Sequence, residues 1–126
     1  MIRLQVSNDM KKSLIIAFGS QVSGRATVAS DFDFGFYSDK PASLSNRASI
    51  SEFLSKKLSI NEDKIDLVDL ATASPLLKFS VAQNGKLIDG DYIDFIRFKV
   101  RAFKEYVDTA KFRRLREEVM LKNYAA

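Results

Sequence analysis

Three aspartates in this sequence have the spacing of a metal-binding cluster. Asp31 and Asp33 stand two residues apart in the segment DFDFGFY, where aromatic residues alternate with polar or small ones as in a half-buried strand. Both carboxylates then project from one face and repel each other unless a cation lies between them. Asp66, near the start of a second predicted strand (IDLVDL), completes the cluster if that strand is a neighbour. Three such carboxylates can hold two magnesium ions about 4 Å apart, as in phosphoryl transfer.

A candidate phosphate-binding turn, Gly19-Ser20, directly follows the apolar run LIIAF, which predicts a buried strand over Leu14–Phe18. Glycine at a strand end lets the backbone approach a phosphate closely. A helix that begins there directs its free N–H groups at the anion. The Ser20 hydroxyl adds a further donor. A turn of this kind beside the carboxylates predicts a site for a nucleoside triphosphate.

The residue types that are missing restrict the chemistry further. The 126 residues include neither histidine nor cysteine, which excludes disulfides, thiolate zinc sites and cysteine nucleophiles. Any metal site must use oxygen ligands, and these favour magnesium or manganese. A general base must be a carboxylate, a lysine, a tyrosine or water. The lack of cysteine and of a long apolar segment leads us to expect a cytoplasmic protein without a membrane span.

The order of these motifs resembles a known family. The segment FGSQVSGRATVASDFDFGF has Gly19-Ser20, a ten-residue spacer and then Asp31-Phe32-Asp33. This pattern is similar to the signature of the minimal nucleotidyltransferases within the polymerase beta-like superfamily. KIDLVDL resembles the later strand of that family, which places the third aspartate at Asp66. The resemblance extends over residues 14–90 or so.

The resemblance implies both an activity and a partner. It implies that Gly19 and Ser20 bind the phosphates of ATP, and that Asp31, Asp33 and Asp66 are catalytic metal ligands for two Mg²⁺ ions, with Mn²⁺ as a substitute. Proteins of this kind are often antitoxins of helical HEPN-domain toxins, and some resemble enzymes that adenylylate a toxin tyrosine. Two alternatives stay open: a non-catalytic antitoxin that acts by binding, and an adenylyltransferase of small molecules such as aminoglycosides. Nucleic acid is not expected as a direct substrate.

The order of helix and strand patterns along the rest of the sequence predicts a small α/β (α+β) domain with a mixed sheet of three to four strands. A helix is expected over residues 43–58, a strand over Ile65–Leu70, and a helix from Ser74-Pro75 to about Asn84 that ends at Gly85. Residues 86–88 predict a short edge strand. Asp69, three residues after Asp66, should face the opposite side of its strand and serve a structural role.

The C-terminal part predicts one long helix or two abutting helices from Tyr92 to about Lys122. We expect a single domain over residues 1–126, with a nucleotidyltransferase core at about 12–90 and a helical extension at about 91–122. A packing stripe is predicted on one face of the extension, from Phe95, Phe98, Phe103, Tyr106, Val107 and Ala110. Residues 97–126 hold nine Lys and Arg against four Asp and Glu. This positive charge predicts a partner contact in the second half, with Phe112 and Leu115 buried against the partner.

Overall fold

A four-stranded mixed sheet forms the centre of the computed structural model, which describes residues 13–19, 31–38 and 44–125. Its strands are β1 (Leu14–Phe18), β2 (Phe32–Tyr37), β3 (Ile65–Asp69) and β4 (Lys86–Asp89). They lie in the order β3-β2-β1-β4. β1 is antiparallel to both β2 and β4, whereas β2 is parallel to β3. The mixed sheet and the predicted edge strand are therefore confirmed.

Four α-helices accompany the sheet in the described residues, namely α1 (Leu44–Leu58), α2 (Pro75–Asn84), α3 (Tyr92–Asp108) and α4 (Ala110–Ala125). The α2 termini follow from the sequence. The Ser74 side chain accepts a hydrogen bond from the Leu77 N–H, and Pro75 occupies the first turn. At the other end the Gly85 N–H donates to Val81 O at 2.8 Å. A short 3₁₀ helix at Glu62–Lys64 was not predicted.

The two faces of the sheet carry separate hydrophobic clusters because successive strand residues point to opposite sides. Leu14 and Ile16 pack with residues of α2 and α3 on one face. Ile15 and Phe34 pack with Leu54 of α1 on the other. The sheet is thus a central layer with α1 on one side and α2 and α3 on the other.

The C-terminal helical region is broken at Thr109, so of the two predicted alternatives, one long helix or two abutting helices, the structure has the second. The Thr109 N–H and hydroxyl both donate to the Glu105 carbonyl, which closes the last turn of α3. Beyond this point the described side chains of α4 from Arg114 to Asn123 are all exposed.

The predicted packing stripe of this region is wrong in part. Phe95 and Phe98 are buried as expected, and Ala102 continues their face. Phe103 and Val107 are more than half exposed, because they lie about 140° and 180° around the helix from Phe98 at about 100° per residue. Tyr106 is half-buried and stacks on Phe79 of α2, not on the sheet, with ring centroids 4.0 Å apart. α3 therefore carries two separate apolar faces.

Within the described ranges, none of the helices combines the length and the apolar character that crossing a bilayer requires.

Candidate active site

The candidate site is built around Asp33, near the start of β2. Strand register places Asp33 opposite Phe18 at the end of β1 and opposite Asp66 at the start of β3. Neighbouring strands lie about 4.8 Å apart, so these pairings alone bring the two aspartates close together. Asp33 and Asp66 are 33 positions apart in the sequence, and the parallel pairing of β2 with β3 is what joins them.

The three aspartates form one electrostatic group. Asp31 directly precedes β2 and, two residues before Asp33, is on the same side of the chain. Partial burial raises the pKa of the Asp33 carboxyl, and the negative charges of Asp66 and Asp31 raise that pKa further. When Asp33 is protonated, its carboxyl can donate a hydrogen bond to the Asp66 carboxylate, which raises the Asp33 pKa as well. The structure thus brings all three predicted carboxylates into one patch of excess negative charge.

Gly19 lies against this patch. Its φ of +83° is in the left-handed region, which side chains other than glycine rarely adopt. A Cβ atom at this position would overlap the Asp33 carboxylate and would stand 3.1 Å from its Cγ atom. The turn after β1 and the aspartate of β2 are therefore in direct contact. Sequence reasoning had connected Gly19 with a phosphate, and it missed this packing against Asp33.

Ser20 and the helix expected after it lie outside the described residues, so the predicted phosphate-binding turn is represented here by Gly19 alone. Asp69 occupies a different position from the three site aspartates. Its Oδ1 atom accepts a hydrogen bond of 3.0 Å from the Ala71 N–H and stabilises the turn that ends β3. This contact agrees with the structural role that its spacing predicted.

The carboxylates of Asp31, Asp33 and Asp66 offer oxygen donors to a metal ion. Asp31 and Asp66 are exposed and Asp33 is half-buried, so solvent reaches the group. In the described ranges, no three acidic side chains already stand in a geometry that would hold one ion. Their donor atoms and charge nevertheless suit magnesium, since a cation would relieve the repulsion that raises the Asp33 pKa. In donor type and charge the three aspartates therefore fit a hard cation.

Known proteins resemble this chain over most of its length. A family model described as polymerase beta nucleotidyltransferase matches residues 2–91. The chain is also similar to the protein adenylyltransferase MntA of Aphanizomenon flos-aquae (strain 2012/KM1/D3). The two are 29% identical over 115 residues, which cover 83% of this chain and 75% of that protein.

Two solved structures extend the comparison to nearly the whole fold. A crystal structure of a toxin–antitoxin with AMP-PNP matches with a TM-score of 0.69 and 27% identity, covering 94% of this chain and 92% of that one. A Shewanella oneidensis complex of a tri-AMPylated HEPN toxin with its MNT antitoxin matches with a TM-score of 0.61 and 26% identity, at the same coverage.

Proposed function

Because the chain belongs to the polymerase beta nucleotidyltransferase family, we propose that it transfers AMP from ATP to a hydroxyl group of a protein partner. The acceptor in this proposal is a tyrosine of a HEPN-domain toxin, and the modification makes the chain an antitoxin. The whole of residues 1–126 acts as one nucleotidyltransferase domain, and ATP as substrate agrees with a cytoplasmic location.

The convergence of Asp31, Asp33 and Asp66 beside Gly19 is the observation that carries this proposal. An isolated acidic pair on a strand is usually a solvated face. Here the pairing of β2 with β3 adds the carboxylate of Asp66 on one side of Asp33. The pairing of β2 with β1 brings Gly19, with its left-handed backbone, to the other side. A phosphate-binding turn next to a hard-cation site is the combination that nucleotidyl transfer requires.

The proposed roles follow from position. Gly19 and Ser20 bind the β- and γ-phosphates of ATP through backbone N–H groups and the serine hydroxyl. Asp31, Asp33 and Asp66 would hold two magnesium ions through their carboxylate oxygens. When bound, magnesium would supply the positive charge that stabilises the attacking and leaving oxygens.

The reaction itself needs one base. The chain has no histidine, which leaves this role to a carboxylate or to a hydroxyl whose pKa the metal would lower, and we assign the proton of the acceptor hydroxyl to Asp66. The hydroxyl oxygen attacks the α-phosphorus of ATP in line and forms a new P–O bond. The bond from the α-phosphorus to the bridging oxygen breaks, and pyrophosphate leaves. The AMP goes directly from ATP to the acceptor.

Two observations support a macromolecular acceptor. The site aspartates lie at or just before the starts of strands β2 and β3, and two of the three are exposed. A protein hydroxyl can therefore reach them. The similar antitoxin of Shewanella oneidensis occurs with an AMPylated HEPN toxin, and the similar MntA protein is a protein adenylyltransferase.

The decisive experiment incubates the purified chain with magnesium, ATP and its candidate toxin, the product of the neighbouring gene, followed by intact-mass measurement. We expect the toxin mass to increase by whole AMP units. Label in the α-phosphate of ATP should be retained on the toxin, whereas label in the γ-phosphate should not. The double variant Asp31→Asn/Asp33→Asn is the matched control, and it should leave the toxin mass unchanged.

The same experiment separates the alternatives. A toxin that is neutralised without any mass increase, equally well by the double variant, would indicate an antitoxin that acts by binding alone. Transfer of AMP to an aminoglycoside but not to the toxin would indicate a small-molecule adenylyltransferase. Transfer to the toxin by the double variant would contradict the proposed metal ligands.

A further inference from the structure

The solvent side of α3 carries a continuous apolar seam. Its members recur at alternating intervals of three and four residues: Ile93, Ile96, Val100, Phe103 and Val107. All five are exposed, from 38% for Ile96 to 61% for Ile93 and Val100. This spacing is that of the a and d positions of a coiled coil, and it is distinct from the buried face of Phe95, Phe98 and Ala102.

The residue types within the seam favour helix packing. The three a positions, Ile93, Val100 and Val107, are all β-branched, as is typical of helices that pair in twos. Helices that lie on a membrane surface present a wider apolar face rich in tryptophan, phenylalanine and leucine. The seam is narrow, and Phe103 is its single aromatic member. A partner helix therefore fits it better than a lipid surface does.

A hollow beside the seam offers further space for a partner. It has a volume of about 380 Å³ and lies between α2 and α3, lined by Phe79, Ala82, Gln83, Asn84, Lys99 and Phe103. Phe103 belongs to both the seam and the hollow. A large side chain from a helix that lies on the seam can enter this space, in the way that knobs enter holes between packed helices.

Charge at the edges of the seam identifies the kind of partner. In the heptad pattern the flanking e and g positions are held by Arg97, Lys99 and Lys104, together with two tyrosines, so every charged flanking residue is a cation. Asp94 pairs with Arg97 at 3.4 Å and offsets its charge, whereas Lys99, whose Nζ lies 4.6 Å from the centroid of the Phe95 ring, and Lys104 give the edge its net positive charge. Flanking charges of this kind determine which helices pair.

These charges disfavour a second copy of the chain. Two seams packed in parallel would place Lys99 of one copy near Lys104 of the other, and antiparallel packing would oppose like cations as well. A helix with glutamate or aspartate at its own flanking positions would instead pair with both lysines. We therefore propose that the α3 seam docks an amphipathic partner helix with acidic residues beside its apolar stripe. Identifying this partner with the protein that receives AMP rests on the proposed function, whereas the docking itself does not.

The test uses two synthetic peptides of about three heptads, both with isoleucine and leucine at the a and d positions. One carries glutamate at every e and g position and the other carries lysine. Binding of each fluorescent peptide to the full chain is measured by anisotropy at low salt, without ATP or magnesium. We expect the acidic peptide to bind and the basic peptide not to bind.

Three variants make the test specific. Val100→Asp should weaken binding of the acidic peptide about tenfold or more, because it places a charge in the middle of the seam. Phe53→Asp, which makes the same change at an exposed apolar residue of α1 on the other face of the sheet, should leave binding unchanged. Lys99→Glu/Lys104→Glu should reverse the preference, so that the basic peptide binds. Each substituted residue lies outside the buried core, and thermal melts confirm that the variants fold.

Each remaining outcome contradicts the proposal. Equal binding of both peptides, or binding that Val100→Asp does not change, would mean that the seam is not the docking surface. A dimer in sedimentation analysis that Val100→Asp dissociates would assign the seam to a second copy. Binding to vesicles of phosphatidylcholine and phosphatidylserine that Val100→Asp abolishes, with no peptide binding, would assign it to a membrane. Because no nucleotide is present, failure here is separate from failure of AMP transfer.

Discussion

Gly19 and Asp33 are in contact across the β1–β2 pairing, with the glycine backbone against the aspartate carboxylate. The turn proposed to bind phosphate and the strand proposed to bind metal are therefore parts of one packed unit. A change at either residue should displace the other.

Gly19→Ala should reduce both stability and activity. Alanine would be strained at a φ of +83°, at a cost of about 1–3 kcal/mol in the free energy of unfolding. Its Cβ would also displace the Asp33 carboxylate, and a displaced group of this kind can lower the rate of transfer roughly a hundredfold. Denaturant unfolding and single-turnover AMP transfer measure the two effects.

A double-mutant cycle isolates the contact between the two residues. In the Asp33→Ala background the carboxylate is gone, so Gly19→Ala should destabilise the protein less than it does in the wild type. An equal cost in both backgrounds would mean that backbone strain alone accounts for the effect.

Asp33→Asn should raise the thermal stability of the magnesium-free protein by a few degrees at neutral pH. The pKa of Asp33 is raised in the folded state, so its ionisation opposes folding. This destabilisation develops as pH rises from the ordinary aspartate value through the raised one and is complete above it. The gain from the substitution should therefore disappear in acid. Thermal melts in the presence of EDTA across this pH range check the prediction.

Magnesium should reverse that order of stability. The ion would bind the folded wild type and raise its melting temperature, and it should do so much less in Asp33→Asn. An equal response of the two proteins to magnesium, with calcium as a comparison ion, would argue against Asp33 as a ligand.

Arg113→Ala should loosen the junction between α3 and α4. The Arg113 guanidinium lies 3.7 Å from the centroid of the Tyr106 ring, and it donates hydrogen bonds to Thr109 Oγ1 and Tyr106 O, each of 2.8 Å. Loss of these contacts should cost about 1–2 kcal/mol. Hydrogen exchange at Thr109 should accelerate. The adjacent substitution Arg114→Ala, at an exposed arginine, should have no such effect.

Truncation after Ala110 tests the predicted role of α4 in partner binding. The described side chains of α4 are mostly exposed, so its removal should leave the domain folded and able to bind ATP. Toxin binding should weaken, and its dependence on salt should become shallower as the basic residues are lost. Unchanged toxin affinity at low and high salt would mean that α4 makes no contact with the partner.

The sequence predicted the sheet well because its strands follow short, regular patterns. The bounds of β1 agree residue for residue, and the capped helix from Pro75 to Asn84 has the predicted ends. Strand alternation places Asp33 on its face of the sheet, and Asp31 directly precedes the strand. The position of Asp66 beside Asp33 could be predicted only on the condition that their strands are neighbours. Sequence periodicity does not determine which strands pair.

The faces of α3 were harder to predict for a related reason. Its apolar residues fit two helical stripes, and periodicity does not determine which stripe meets the core. Phe103 and Val107 were grouped with Phe95 and Phe98, although the spacing of Ile93, Ile96 and Val100 already indicated a second stripe. The 3₁₀ helix at Glu62–Lys64 has no periodic signal, since it is a single turn stabilised by the Asn61 side chain.

The three-carboxylate site forms only when β2 and β3 pair in one particular register. If β3 slipped by one residue, Asp66 would point to the layer of α1 and its place beside Asp33 would be taken by an apolar neighbour. Partly assembled chains would then have a sheet but no third carboxylate. A newly made chain should therefore acquire transferase activity in one step, when the final strand register is reached, and lose it on heating at the temperature where that register is lost.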